Sequence, residues 1–342
     1  MFDPKFTVSN QTIIALTEIE RLTILLNKAA IPAPVFDHIK MQCLVALTHF
    51  STQIEGNLLS IEQVSGVVEK NRTFGLHRDE NEVKNYFALL EKIPGLIKKH
   101  RQRVAPKLIL ECHSSLLCKI VSHNLRGRLR DVQNAIYAAG SKKIVYLPPE
   151  PKDVQGLIDD LCLWTADAKI HPIILAAIFH NQFVTVHPFI DGNGRSARFL
   201  TLFLLDIKGY DWKGIVPVDR YYADDRPLYY KMLQQDYSHN YYFGRHNTDF
   251  SRWIDYYVEG IKNILQGTLN QIELYKTQNV LLNNRQTKML RYLLNSKSVT
   301  AQEYALRFNI SARMAARDLR QLVEWGRLGV IGRARATKYF LR

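Results

Sequence analysis

A short polar segment between two apolar stretches carries most of the chain's chemically useful side chains. Residues 187–198 read H-P-F-I-D-G-N-G-R-S-A-R, which brings one imidazole, one carboxylate, two arginines and an asparagine between two glycines close together. A connection that only joins two core helices requires a capping residue and a glycine, not this collection. The segment therefore indicates a functional loop, and its residue types point to phosphate chemistry.

The second half of this segment has the features of an anion site. Gly192 and Gly194 flank Asn193 at the predicted start of a helix, where free backbone N–H groups and the helix dipole favour negative charge. Arg195 and Arg198 lie three residues apart in the first turns of that helix and point to similar sides. The dipole disfavours cations at this end. A bound polyphosphate would compensate, because guanidinium groups pair with phosphate oxygens in a fork.

Asp191 and His187 supply the two remaining chemical groups. A carboxylate beside phosphates is suited to hold a Mg²⁺ ion that bridges phosphate oxygens. An imidazole can accept a proton near pH 7 without unusual tuning. Taken alone, His187 is read equally well as a packed core residue. Beside the carboxylate, the glycines and the arginines, we interpret it as a general base.

This segment matches, position for position, the H-P-F-x-D-G-N-G-R-x-x-R pattern of Fic domains. The resemblance covers roughly residues 35–240, with Gly127, Arg130 and Tyr146-Leu147-Pro148-Pro149 as further landmarks. Ala197 departs from the many members that carry glycine there, but it leaves the reacting groups unchanged. The resemblance implies an enzyme that transfers AMP from ATP to a Ser, Thr or Tyr hydroxyl of a protein, itself included.

The resemblance also implies a role for each polar residue of the loop. His187 would deprotonate the target hydroxyl, and Asp191 would hold Mg²⁺ on the α- and β-phosphates. Gly192, Asn193 and Gly194 would cradle the phosphates. Arg195 would contact the β-phosphate side, and Arg198 would contact the γ-phosphate. ATP is thus the expected substrate and Mg²⁺ the expected cofactor.

A hairpin precedes the loop in the sequence. Residues 127–137 and 144–146 read as two short strands around Gly140-Ser141. By resemblance, the hairpin is a flap that registers the target segment by strand addition, and its residues are Lys143, Ile144, Val145 and Tyr146. The resemblance also places Tyr229 and Tyr230 near the nucleotide base or ribose, although packing as aromatic core explains this pair equally well.

A second motif lies at the end of a helix predicted over residues 36–55. Ser51 and Glu55, followed by Gly56, are four positions apart and share a helix face. They resemble the inhibitory motif [Ser/Thr]-x-x-x-Glu-[Gly/Asn] that many Fic proteins carry before the Fic core, although a glutamate before a C-capping glycine is also common in ordinary helices. The resemblance implies an ion pair between Glu55 and Arg198 that displaces the γ-phosphate and leaves ATP misaligned.

Helical periodicity dominates the chain, so we predict an all-α fold of the Fic type with a β-hairpin flap. Residues 1–100 are expected to form an N-terminal helical region that includes the inhibitory helix. Residues 101–280 are expected to form the catalytic core and the helices that follow it. Residues 281–342 are expected to form a separate C-terminal winged helix-turn-helix.

The C-terminal segment is distinguished by its charge and its order of elements. It holds 13 Lys and Arg against 3 Asp and Glu, so it carries +10 of the chain's net charge of +14. Three predicted helices followed by a basic hairpin resemble a winged helix-turn-helix. Contact with DNA would come from arginines of the recognition helix and the wing, namely Arg313, Arg317, Arg320, Arg333 and Arg335. A protein-docking or dimer-forming unit with solvated arginines is an equally good interpretation.

Two alternatives to AMP transfer remain open. In the first, Glu55 positions a water molecule and the same site removes AMP from a modified protein. In the second, the chain is a DNA-binding regulator whose Fic domain is largely silent. UTP or a choline-bearing nucleotide as donor, and a homodimer as assembly, are open as well.

The remaining composition restricts the environment. The N-terminus lacks a signal-peptide pattern, and no uninterrupted apolar run reaches the roughly 18 residues of a membrane span. The cysteines show no C-x-x-C spacing, which argues against a zinc site or a disulfide framework. We therefore expect a cytoplasmic protein that has no membrane partner.

Overall fold

The computed structural model describes residues 2–137, 143–235, 238–280, 282–294, 296–324, 327–332 and 337–341, without the side chains of residues 34 and 276–280. The chain divides into two compact units. The first consists of Met1–Ala30 and Asp37–Leu269, and the second of Ile31–Phe36 and Asn270–Arg342. The predicted mostly helical fold with a small hairpin is confirmed.

The elements up to the long helix α12 are, in chain order, α1 (Asn10–Lys28), α2 (Ala33–Ile54), α3 (Ile61–Lys70), α4 (His77–Glu91), α5 (Ile93–Lys99), α6 (Pro106–Leu116), β1 (Ile136–Tyr137), β2 (Ile144–Tyr146), α7 (Pro151–Asp167), α8 (Pro172–Val186), α9 (Asn193–Ile207), α10 (Asp219–Asp224), α11 (Arg226–Gln234) and α12 (Ser251–Val280). No helix within the described ranges has the length and apolar character that a membrane crossing requires.

The helix pair α8 and α9 forms the centre of the first unit. Helix α8 is mostly apolar, and nearly every residue from Ile173 to Val186 is buried, as expected of a helix enclosed by its neighbours. Helix α7 packs on α8, and α6 packs on α9. The indole of Trp253 on α12 donates to the Ala177 carbonyl at 2.6 Å. The loop between α8 and α9 is therefore held at both ends by buried helices.

The hairpin is shorter than predicted on its first strand. Strand β1 covers Ile136–Tyr137 instead of beginning near Gly127, and it pairs antiparallel with β2 through Ile136–Tyr146 and Tyr137–Ile144, with a register shift between them. The preceding residues are used elsewhere, because the Arg130 backbone N–H donates to the Pro188 carbonyl at 2.9 Å. The predicted turn residues, Gly140-Ser141, lie outside the described residues.

The second unit contains α13 (Asn284–Leu294), β3 (Val299–Thr300), α14 (Ala301–Arg307), α15 (Ala312–Glu324), β4 (Leu328–Ile331) and β5 (Lys338–Leu341). Its three strands form an antiparallel sheet in the order β3-β5-β4. Its core includes Met289, Tyr304, Leu319 and Leu328. The helices and the two last strands were predicted, whereas the two-residue strand β3 was not.

Candidate active site

The loop between α8 and α9 is braced by its own asparagine. The side chain of Asn193 accepts from the Phe189 backbone N–H at 2.8 Å and donates to the Phe189 carbonyl at 2.7 Å. Before it, His187 ends α8 in the left-handed region at φ 51°, and Gly192 precedes α9 at φ 79°. Two positive φ angles and one side-chain bridge therefore define the loop, and glycine is the residue that adopts such a φ without strain.

A buried histidine on α6, which was not among the predicted site residues, packs against this loop. The His113 ring stacks on Phe189, with ring centroids 3.6 Å apart and an interplanar angle of 2°. Its Nδ1 accepts from the Gly127 backbone N–H at 3.0 Å, so its Nε2 carries the proton that is donated to the Asp191 carbonyl at 3.1 Å. Burial lowers the pKa of His113 to about 4, which keeps this neutral tautomer at physiological pH.

His187 is oriented for proton acceptance. Its Nδ1 lies 3.3 Å from the Val184 carbonyl. Because a carbonyl oxygen can only accept, Nδ1 carries the proton and the lone pair is on Nε2. The Nε of Arg130 donates to the His187 carbonyl at 2.9 Å and fixes the backbone. Burial lowers the pKa of His187 to about 4, although the Val184 carbonyl and the charge of Glu55 act in the opposite direction. The imidazole is therefore neutral at pH 7.

Arg198 lies at the point where the two predicted motifs meet. Its side chain is 1% exposed, and its Nη2 donates to Glu55 Oε1 at 2.8 Å. Ser51 accepts twice, from Nε through its hydroxyl at 2.8 Å and from Nη2 through its carbonyl at 2.7 Å. A Cβ placed on Gly194 would collide with Glu55 Oε1. The Glu55 carboxylate thus occupies the N-terminal turn of α9, where the sequence predicts phosphate.

The electrostatics of this pair are mutually reinforcing. Burial raises the pKa of Glu55, but Arg198 and Arg195 outweigh it and hold that pKa below its usual value. Burial lowers the pKa of Arg198, but Glu55 outweighs burial and raises it above the ordinary value. Both groups are therefore charged over the whole physiological pH range.

Behind Arg198 lies a buried acid that was not predicted. Asp219 is 1% exposed, and its Oδ2 accepts from the Tyr86 hydroxyl at 3.3 Å. Burial raises the pKa of Asp219 to about 6. The charge of Arg198 and the hydrogen bonds that Asp219 makes with Tyr86 and Ser51 act in the opposite direction but do not outweigh burial. Arg198 therefore has a second acidic neighbour in addition to Glu55.

The other predicted phosphate contacts are engaged with α4. Arg195, 3% exposed at its side chain, lies between Glu82 Oε1 at 3.0 Å and Asp191 Oδ1 at 3.1 Å. The exposed Arg78 lies 3.1 Å from Asp191 Oδ2 and 3.4 Å from Glu82 Oε1. The Gly192 backbone N–H donates to Asp191 Oδ1 at 2.6 Å. The four charged side chains form a closed ring of alternating sign.

Residues 103–205, which contain this loop, match the Fic/DOC family. This segment is therefore similar to Fic domains.

Curated relatives of this chain are named protein adenylyltransferases. The chain is similar to the protein adenylyltransferase Fic of Aedes aegypti, 31% identical over 47% of this chain and 32% of that protein. It is also similar to the protein adenylyltransferase fic-1 of Caenorhabditis elegans, 32% identical over 51% of this chain and 34% of that protein. The chain thus spans only about a third of the length of these relatives.

Solved structures share the fold at low identity. A Fic family protein from Desulfovibrio desulfuricans G20 superposes with a TM-score of 0.69 at 21% identity, over 100% of this chain and 98% of that one. A Fic domain containing signaling protein from Bacteroides thetaiotaomicron superposes with a TM-score of 0.64 at 20% identity, over 77% of this chain and 97% of that one. These likenesses establish the fold alone.

The two predicted tyrosines lie on α11, beyond the residues matched to the Fic domain, and they differ in exposure. Tyr229 is 1% exposed, and its hydroxyl lies 2.9 Å from His180 Nε2. Tyr230 is 42% exposed, stands 5.5 Å from the Arg226 guanidinium and donates to the Ile54 carbonyl at 3.1 Å. Of the two, only Tyr230 presents its ring at the surface, and its acceptor Ile54 directly precedes Glu55, the predicted inhibitory residue.

The predicted flap is anchored through strand β2. The Tyr146 hydroxyl donates to the Thr185 carbonyl at 2.7 Å, which ties β2 to the end of α8. The Val145 carbonyl accepts from His239 Nδ1 at 2.7 Å. Ile144 is 45% exposed, and Lys143 is exposed as well. Tyr146, the last residue of β2, is thus fixed on α8, whereas Lys143 and Ile144 are exposed.

Proposed function

We propose that this protein transfers AMP from ATP, with Mg²⁺, to a Ser, Thr or Tyr hydroxyl of a protein, itself included, and that Glu55 holds it inactive. The observation that carries the proposal is the placement of a single guanidinium group. Arg198 is buried in the second turn of α9 and is bound to Glu55 at 2.8 Å. The relatives named protein adenylyltransferase support the class of reaction.

The proton transfer belongs to His187. Its Nε2 lone pair would accept the proton of the target hydroxyl, whose oxygen would then form the bond to the α-phosphorus of ATP. The bond between that phosphorus and the bridging oxygen of the β-phosphate would break, and pyrophosphate would leave. The backbone N–H groups at the α9 N-terminus, and Arg195 beside them, would stabilise charge on the phosphates.

Asp191 fits the proposed Mg²⁺ site. Its side chain is 35% exposed, and Mg²⁺ is commonly held by one or two carboxylates together with substrate phosphates instead of an all-protein cage. The described residues contain no cluster of three metal-binding side chains, so a site completed by the nucleotide agrees with this chemistry. Bound there, Mg²⁺ would neutralise charge on the phosphate oxygens.

Autoinhibition follows from competition for one site. The Glu55 carboxylate lies against Gly194, at the place where a phosphate would be cradled, and it neutralises Arg198. Two anions cannot share one guanidinium edge without repulsion. The γ-phosphate would therefore bind Arg198 only after Glu55 leaves. Tyr230 is the exposed aromatic ring near this site and is the proposed neighbour of the nucleotide base or ribose.

Intact-mass spectrometry tests the reaction. With ATP and Mg²⁺, Glu55→Gly should gain the mass of AMP and wild type should gain much less. Glu55→Gly combined with His187→Ala should gain none, and its melting temperature serves as the control for folding. If Glu55→Gly gained the mass of UMP from UTP and no mass from ATP, the proposed nucleotide donor would be UTP instead of ATP. Removal of AMP from a modified target, dependent on Glu55, would replace transfer by hydrolysis.

A DNA-binding function of the second unit is a separate candidate, and one observation favours it. Arg313, Arg317 and Arg320 are all exposed on α15, while Leu319 on the opposite face is buried in the core. The corresponding wing residues, Arg333 and Arg335, lie outside the described residues. In a winged helix-turn-helix, α15 would be the helix that enters the major groove.

Gel retardation of duplex DNA by the full chain tests this candidate. Binding should weaken steeply with salt, because phosphate contacts release counterions. Replacement of the three α15 arginines by alanine should weaken it further. Replacement of Lys98, Lys99 and Lys152, which are exposed in the first unit, is the control that removes the same number of charges. Absence of retardation at low salt would exclude DNA as the partner.

A further inference from the structure

The ring of charges that joins α4 to the loop has one member that is more exposed than the other three. The side chain of Arg78 is 65% exposed, whereas those of Asp191, Glu82 and Arg195 are 35%, 8% and 3% exposed. Ion pairs made by exposed side chains contribute little to stability, because solvent screens them and their ordering costs entropy. Arg78 is therefore the member that can leave the ring at the smallest cost.

The two oxygens of Asp191 are used differently. Its Oδ1 accepts from the Gly192 backbone N–H and from Arg195, which both belong to the loop and its helix. Among the described residues, Arg78 is the one partner of Oδ2. A cation bound at Asp191 needs an oxygen lone pair, and departure of Arg78 would free one without disturbing Oδ1.

Glu82 is held from behind, so it can retain Arg195 while Arg78 moves. Its Oε2 accepts from the Asn57 amide at 3.1 Å, and that amide also donates to the Asp79 carbonyl at 3.0 Å. Asn57 follows Glu55-Gly56, and its neighbour Leu58 donates its backbone N–H to Asp79 Oδ2 at 2.9 Å. The first turn of α4 is thus fastened to the chain directly after the inhibitory glutamate.

We propose that Arg78 is an exchangeable counter-ion that occupies the cation position of Asp191 until Mg²⁺ and nucleotide arrive, and that Glu82 is a positioning residue that keeps Arg195 in place during this exchange. The inference rests on the proposed function, since it concerns the same nucleotide site. It adds a lock that acts through Asp191 and is distinct from the one that acts through Arg198.

Binding of a fluorescent, non-hydrolysable ATP analogue, followed by polarisation at increasing Mg²⁺ concentration, tests the exchange without requiring turnover. All variants are made in Glu55→Gly, which removes the first lock. Arg78→Ala should lower the half-saturating Mg²⁺ concentration by about two- to fivefold, the range of an exposed ion pair. Arg78→Lys should give a half-saturating Mg²⁺ concentration between those of Arg78→Ala and the Glu55→Gly parent. Arg72→Ala, an exposed arginine of the segment before α4, should leave the concentration unchanged.

Glu82→Gln distinguishes the positioning role, since it keeps the size of the side chain and removes the charge. It should weaken the analogue's affinity at saturating Mg²⁺ while its melting temperature verifies folding. Equal Mg²⁺ dependence for Arg78→Ala and Arg72→Ala would overturn the exchange. If Glu55→Gly bound no analogue at any Mg²⁺ concentration, the proposed function itself would fail, and this inference with it.

Discussion

Removal of the Glu55 charge should destabilise the first unit even though it activates the proposed enzyme. In Glu55→Gln the side chain keeps its size and nearly its helix propensity, so the change isolates the charge. Arg198, 1% exposed, would keep its two bonds to Ser51 and lose its ion pair. Breaking a fully buried ion pair costs about 3–5 kcal/mol, and a hydrogen bond to a charged group contributes about 1.5–3 kcal/mol.

The expected loss is smaller than that of a fully buried ion pair. The Glu55 side chain is 30% exposed, so solvent screens part of the attraction. Asp219 also remains as a neighbour that favours the charged guanidinium. We therefore expect the free energy of unfolding to fall by about 1–2 kcal/mol, which is below the cost of breaking a fully buried pair.

Urea unfolding followed by tryptophan fluorescence measures this difference. Trp164, Trp212 and Trp253 lie in the first unit, so the signal reports mainly on it. Glu91→Gln, at the exposed end of α4, is the matched control and should stay within about 0.5 kcal/mol of wild type. A Glu55→Gln protein as stable as that control would refute the inference that the pair with Arg198 stabilises the inactive state.

Further outcomes follow from the same contacts. Arg198 and Arg195 lower the pKa of Glu55 in the folded protein. The difference in unfolding free energy between wild type and Glu55→Gln should therefore be complete above about pH 4.3, and it should vanish as the pH falls through the pKa of Glu55 in the folded state. A difference that persists in acid would contradict the ion pair between Glu55 and Arg198. Gly194→Ala should destabilise wild type by collision with Glu55 and should cost much less in a Glu55→Gly background, so a double-mutant cycle with additive effects would exclude that contact. Ser51→Ala leaves the buried Arg198 Nε without its acceptor and should cost about 1–3 kcal/mol in urea unfolding, whereas Ser51→Thr should retain the acceptor. The rate of AMP transfer by Glu55→Gly should increase as the pH rises through about 4 or below, where His187 loses its proton, and should then stay constant through pH 6.5. A rate increase centred near pH 6.5 would instead show that the imidazole has an ordinary pKa.

The position of the loop and the start of α9 after it could be predicted from the sequence because both are local features. Within residues 187–198 the proposed roles depend on spacing along one turn and one helix start, and those geometries are fixed by φ, ψ and helix periodicity. The meeting of Ser51 and Glu55 with Arg198 is a long-range contact, and it was expected from the family resemblance alone. Physical reasoning from periodicity placed Ser51 and Glu55 on one helix face but could not say what that face contacts.

The partners that the sequence did not indicate share a common trait. Glu82, His113 and Asp219 lie on elements separate in sequence from the loop, in segments that read as ordinary helix. Their contacts with the loop and with Arg198 arise only when packing brings α4, α6 and α10 against α9 and its loop. Tyr229 illustrates the reverse case, since a pair of adjacent tyrosines gives no signal of which ring is buried on His180 and which is exposed.

The central claim is that Glu55 and the γ-phosphate of ATP compete for Arg198, and the preference for ATP over ADP measures this most directly. Calorimetric titration with Mg²⁺ should give similar affinities for both nucleotides in wild type, where Glu55 holds the guanidinium. In Glu55→Gly, ATP should gain about 10- to 100-fold over ADP, the value of one hydrogen bond to a charged group. An ATP preference that is the same in wild type and Glu55→Gly would contradict the competition.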